Sequence, residues 1–300
     1  MADVETYLQH LAAERRLSPH SVMAARRDLA KLIQLVGSTP LADLTLTDIR
    51  GAIIKLRGHA LAAPSVARHL SSWRGFYHFA CRRLGYHHNP CVGLRPPKAA
   101  KRLPDTLTPD ACAQLLDAAT SDAAAPESNP VLEARDRAMF ELLYSSGLRL
   151  AELVGLDVSG VDLVSGETEV IGKGRKTRRV PIGSQACAAI TAWLPLRAPL
   201  ARDTAALFVS QRGSRITPRS VQLRLDRWAR RAGLDQHVYP HLLRHAFATH
   251  VLQSSGDLRA VQDMLGHASI STTQVYTHLD WQHLAQVYDT AHPRARKKPA

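Results

Sequence analysis

The stretch from Pro240 to Tyr276 contains PHLLRHAFATH, LGHAS and TTQVYTH, and so sets His241, Arg244, His267 and Tyr276 at the spacing of a phosphoryl-transfer site. A phosphoryl group in transfer needs cations fixed on its non-bridging oxygens, an in-line nucleophile and a group to take the nucleophile's proton. Arg244, Tyr276 and His241 are of the types that fill those roles in turn. His241 and Arg244 stand three apart on a predicted helix, so they share one face and can address one phosphate. An HxxR pair alone also fits a helix with a structural histidine. His245 adds an HxxxH spacing, which is a metal-ligand pattern, but a zinc-protease motif requires glutamate where this chain has Leu242. No third ligand follows at the expected spacing.

Two further cations lie upstream. Arg149, in SSGLRLAEL, follows a helix interruption and begins the next helix, which aims a guanidinium from a tight turn. Its planar, permanently charged fork suits phosphate oxygens, and with Arg244 it makes a two-arginine clamp. Arg149 can also pair with Glu152 three residues on, and the two readings are compatible, since Glu152 can orient the neighbouring backbone. Lys173 stands between Gly172 and Gly174 in a predicted hairpin turn, open to a ligand backbone. A solvated turn lysine has the same signature.

These residues must be held by folded elements. From Val4 to about Leu84 the apolar residues recur at helical spacing, with Ser18-Pro19 as cap and first-turn proline, and further helices are expected at 46–56 and 64–84. This is a small helical bundle. Arg68, Arg74, Arg82 and Arg83 are interleaved with Trp73, Phe76, Tyr77 and Phe79; the aromatics read as core and the arginines as phosphate contacts. Residues 89–106, with Pro90, Pro96, Pro97 and Pro104 among Lys98, Lys101 and Arg102, read as a basic linker. Beyond it, Thr108-Pro109 opens a helix, 120–130 reads as a polar loop, and 135–156 is helical with a break at Ser145-Ser146-Gly147. The period then switches: VDLV, TEVI and RRVPI form a small antiparallel sheet embedded in helices. Helices resume over 219–232, 241–252, 257–265 and around 281–288.

The chain has 300 residues and a formal net charge of +13, a length of about two domains and a charge that favours a polyanionic partner. Residues 1–100 hold 14 Lys/Arg against 6 Asp/Glu, which marks the first hundred residues as a binding module. Cys81, Cys91, Cys112 and Cys187 form no CxxC pair and are too scattered for a disulfide framework. No apolar stretch approaches membrane-spanning length, and the N-terminus lacks a secretory pattern. A reduced, cytoplasmic setting without membrane association is expected.

In order and spacing, Arg149, Lys173, His241-x-x-Arg244, His267 and Tyr276 resemble the catalytic constellation of the tyrosine site-specific recombinases, the phage integrase family. RDRAMFELLYSSGLRLAELVGLD, SGDLRAVQDMLGHASISTTQVYTH and the tail resemble the branch that resolves chromosome dimers. The resemblance implies a mainly α protein with a small antiparallel β-sheet: an N-terminal helical core-binding (SAM-like) domain over 1–88, the linker over 89–106 and an α+β catalytic domain over 107–300. The two domains are expected to form a C-shaped clamp around duplex DNA. Tyr276 would attack the scissile phosphate to give a 3′-phosphotyrosine, His241 would accept its proton, Arg149 and Arg244 would neutralise the transition state, His267 would donate a hydrogen bond and Lys173 would protonate the leaving 5′-oxygen. No cofactor and no metal are expected. The implied partners are double-stranded DNA at a short, imperfectly palindromic site, a XerD-like paralogue in a heterotetramer and the septal DNA translocase. The sequence departs from the family pattern at 120–130, a longer loop than usual, and at Leu242, where a polar or basic residue is common. Leu284, Val287 and Tyr288 share a helical face that docks either into a neighbouring subunit or onto its own domain. A topoisomerase-like relaxase, a DNA-binding accessory protein and a metal-dependent hydrolase built on His241, His245 and His267 are the alternatives.

Overall fold

The computed structural model describes residues 2–97, 106–117, 129–172, 177–202, 204–265, 287–288 and 290–295. It comprises two compact units, Met1–Leu103 and Pro104–Ala300.

The first unit is built from α1 (Ala2–Ala13), α2 (Pro19–Val36), α3 (Leu46–Gly58) and α4 (Ala63–Arg83). Local chemistry sets the starts of α2 and α3. The Ser18 hydroxyl accepts the Ser21 N–H at 3.2 Å with Pro19 in the first turn, and Thr45 and Asp48 form a reciprocal capping box. The core gathers Trp73, Phe76 and Tyr77 of α4 against Leu8, Leu29, Leu32, Ile49 and Leu56, so the aromatics are packing residues, as their spacing suggests. Their arginine neighbours differ from expectation. Arg68 binds the buried Asp28 carboxylate, Arg74 donates to the Leu94 carbonyl at 2.8 Å and Arg83 reaches Glu14 at 3.4 Å. Three of the four thus have partners inside their own unit. Residues 89–94 also stay with this unit, since Cys91 is fully buried in its core.

The second unit contains α5 (Pro109–Asp117), α6 (Pro130–Ser146), α7 (Leu150–Gly155), the strands β1 (Val161–Asp162), β2 (Glu167–Ile171) and β3 (Thr177–Pro181), then α8 (Ser184–Arg197), α9 (Pro218–Arg231), α10 (Pro240–Ser255) and α11 (Leu258–Leu265). Helix α6 is the hub, buried on every side from Ala138 to Ser146 and flanked by α8 and α10. It begins five residues before the predicted start. Asn129 accepts the N–H groups of Val131 and Leu132 at 3.1 and 3.2 Å, with Pro130 in the first turn, a cap-plus-proline signal that sat at the end of the segment read as loop. The sheet has the order β1-β2-β3, antiparallel throughout, with Val161 opposite Thr168 and Val170 opposite Arg178. The mainly helical architecture with one small antiparallel sheet is therefore as the sequence implies. Among the described residues, no helix is long and apolar enough to cross a membrane.

Candidate active site

The break between α6 and α7 is made by Gly147, whose left-handed backbone (φ 57°) only glycine adopts without strain. A Cβ there would lie 2.4 Å from the Phe247 ring, so the same residue allows α10 to approach the turn. Two positions on, Arg149 is the cap residue of α7. Its backbone N–H donates to Glu152 Oε2 at 2.8 Å, which is half of a capping box, and its Nη1 donates to Glu152 Oε1 at 2.9 Å. The ion pair and the aimed guanidinium offered as separate readings of Arg149 coexist. The Glu152 side chain is buried, whereas that of Arg149 remains 40% exposed.

Arg244 enters from α10. Pro240 opens this helix, His241 is exposed in its first turn, and Arg244 lies one turn further on, buried. Arg244 Nη1 donates to the Gly147 carbonyl at 2.5 Å and Nη2 to the Leu265 carbonyl at 2.7 Å, and Nη1 lies 4.0 Å from Glu152 Oε2. Glu152 thus brings the two arginines together. Burial, and then repulsion from Arg149, pull the Arg244 guanidinium down to about 10, which leaves it charged at neutral pH.

Strand β3 adds a residue that the sequence reading missed. Arg178 donates from Nη1 and Nη2 to the two oxygens of Glu152 at 2.8 and 2.9 Å, and from Nε to the Met264 carbonyl at 3.2 Å. Burial pushes the Glu152 carboxyl up, but the hydrogen bonds from Arg178 and from the Arg149 backbone outweigh it and hold the group below the usual carboxylate range. The available signal was the period of two: in TRRVP, Arg178 shares a face with the fully buried Val180, while Thr177 and Arg179 point outward.

Of the six expected site residues, Arg149 and Arg244 are brought together and His241 stands a turn away on the same helix. Lys173, His267 and Tyr276 lie outside the described residues. Leu242 is buried in the main core of this unit, so at that position the chain uses packing in place of a polar contact. Past the expected nucleophile, Tyr288 packs with Phe247, Val251 and Met264, Arg294 binds the buried Glu141, and the Ala295 carbonyl accepts the Ser184 N–H at 3.2 Å. The described part of the C-terminal segment thus packs on its own unit.

The arrangement is two guanidiniums, one part-exposed and one buried, fixed on a shared carboxylate at the end of a glycine turn. Such a pair is a rigid receptor for a phosphodiester. Residues 105–283 match the phage integrase family, and residues 4–84 match the phage integrase N-terminal SAM-like domain. The chain belongs to the phage integrase family, the tyrosine recombinases, enzymes that cleave and rejoin DNA. It is 50% identical over 297 residues to the tyrosine recombinase XerC of Alcanivorax borkumensis, covering 98% of this chain and 95% of the relative. It is likewise 50% identical over 303 residues to the tyrosine recombinase XerC of Azotobacter vinelandii, covering 99% and 98%. Its fold resembles that of the XerH site-specific recombinase, solved bound to a palindromic difH substrate after cleavage, with a TM-score of 0.71 at 21% identity, over 95% of this chain and 83% of that one.

Proposed function

We propose that this chain is a XerC-type recombinase that exchanges DNA strands through a 3′-phosphotyrosine on Tyr276 and acts with a XerD-like partner to resolve chromosome dimers. The observation that carries the reading is the Arg149–Glu152–Arg244 assembly in a chain half identical to XerC relatives over nearly its whole length. With Arg178 included, three guanidiniums face one carboxylate and leave two positive charges. A pentavalent phosphorane formed from a phosphodiester and a phenolate carries two negative charges, so the site matches the transition state better than the singly charged substrate.

The Tyr276 phenol oxygen attacks the phosphorus while its proton passes to His241; the bond to the 5′-oxygen breaks and Lys173 supplies the proton of the leaving hydroxyl. Arg149 and Arg244 hold the non-bridging oxygens, and His267 donates a further hydrogen bond. A free phenol titrates near 10, which is why a neighbouring base is needed at neutral pH. Because the phosphotyrosine keeps the ester's energy, a 5′-hydroxyl of another strand reverses the step without ATP.

Residues 51–97 carry seven Lys/Arg and no Asp/Glu, which suits the first unit to a DNA backbone. A short palindrome-like target, a heterotetramer with the XerD-like partner, activation by the septal translocase and a cytoplasmic setting complete the proposal.

The test is a nicked suicide substrate incubated with the full chain. A covalent protein–DNA adduct is expected with the native protein and none with Tyr276→Phe. No adduct with the native chain, or an undiminished one with the variant, overturns the reading.

A further inference from the structure

The arginine of β3 is held by protein partners. All three nitrogens of the Arg178 guanidinium donate internally, two to Glu152 and one to the Met264 carbonyl, and its side chain is only 7% exposed. Its Nε–H and one N–H of each Nη are therefore committed to protein partners. What it holds is informative. Glu152 is the carboxylate on which the side chain and backbone N–H of Arg149 both rest, and Met264 precedes Leu265, whose carbonyl is held by Arg244. Two guanidiniums from different elements thus grip consecutive carbonyls at the C-terminal end of α11, and one of them also fixes the anchor of the third arginine.

We propose that Arg178 is a positioning residue for strand cleavage: it locks Glu152 and the end of α11 together, and so sets the separation of Arg149 from Arg244. This rests on the recombinase reading above. The fork geometry is essential to it, because only a guanidinium can make two parallel bonds to one carboxylate and a third, from Nε, to a carbonyl on another element. A lysine keeps the charge and loses the geometry. Misplacing reacting groups by about 1 Å costs on the order of 100-fold in rate, whereas DNA affinity, spread over many phosphate contacts, is nearly untouched.

The experiment compares the native full chain, Arg178→Lys and Arg178→Met on the same nicked suicide substrate at saturating DNA, with DNA affinity and thermal unfolding measured alongside. Arg178→Lys is expected to form the adduct about 100-fold more slowly, with affinity within about two-fold of native and an unfolding transition still cooperative. In Arg178→Met, Glu152 is left facing only Arg149 and Arg244 and its burial is less offset, so the acid limb of the cleavage-rate profile moves to higher pH. Adding Glu152→Gln to Arg178→Met removes that shift, which a merely structural role for Arg178 does not predict. A native cleavage rate in Arg178→Lys overturns the proposal, as does a rate loss matched by an equal loss of DNA binding and of folding. The native chain's adduct reports separately on the recombinase reading, because the proposal is read from the ratio of variant to native.

Discussion

The two units handle charge in opposite ways. In the first, the buried polar residues among those described are Asp28 and His69, while Arg74, Arg82 and Arg83 are exposed. In the second, Arg135, Asp136, Glu141, Glu152, Arg178 and Arg244 are all buried, each with a charged or carbonyl partner. A surface arginine contributes a modest, salt-screened attraction that can be lost singly. A buried guanidinium must be fully paired, and once paired it is fixed in direction, since any other orientation leaves a charge desolvated and unmet. Recognition can be distributed over many replaceable contacts, whereas catalysis requires a few that cannot move.

The comparison breaks most visibly at Glu152. Replacing it with glutamine removes one partner of a buried ion cluster, so a loss of about 3 kcal/mol in urea unfolding is expected, together with slower but measurable adduct formation. The sign with pH follows from the lowered carboxyl. Its contribution is complete above the unfolded value of about 4.5 and disappears as pH falls through the lower folded value, so the gap between native and Glu152→Gln narrows below pH 4.5. A gap that widens in acid would mean that the arginines do not hold this carboxylate.

A second, smaller effect is expected at Gly147→Ala. The substituted residue would meet both the left-handed backbone and the Phe247 ring, and about 1–3 kcal/mol of destabilisation should accompany slower cleavage, because the Gly147 carbonyl is one of the anchors of Arg244. Unfolding and single-turnover cleavage measured on one preparation check this. The smallest effect sharpens the other side of the contrast. Arg82→Ala, at an exposed position in the last turn of α4, should weaken DNA binding by a few-fold and reduce the slope of log affinity against log salt by about one, with cleavage at saturating DNA unchanged. A reduced cleavage rate there would show that the first unit contributes to chemistry as well as binding.

Much of this was legible in the chain. Ser18-Pro19 and Thr108-Pro109 marked helix starts because caps act over three or four residues, and the switch of period at Val161 announced the sheet for the same local reason. Asn129-Pro130 was the same signal, overlooked in a polar surrounding. The arginines of α4 were harder, since nothing in their spacing shows that Asp28, forty residues earlier, receives Arg68, or that the Leu94 carbonyl receives Arg74. Arg178 was legible as an inward position from its alternation with Val180, but not as the partner of Glu152, twenty-six residues away on another element.

The sequence by itself determined the family, the order of elements and the choice of Arg149, His241 and Arg244 as candidates, because residue type and short-range spacing decide helix ends, strand period and the chemistry available. Tertiary structure alone decided that Arg149 and Arg244 share one carboxylate, that a glycine turn admits α10 beside it, and that a strand arginine ties that carboxylate to the end of α11. The reason is physical: a buried charge is satisfied by whichever groups the packing of the core brings within about 3 Å, and that proximity is a property of the whole fold.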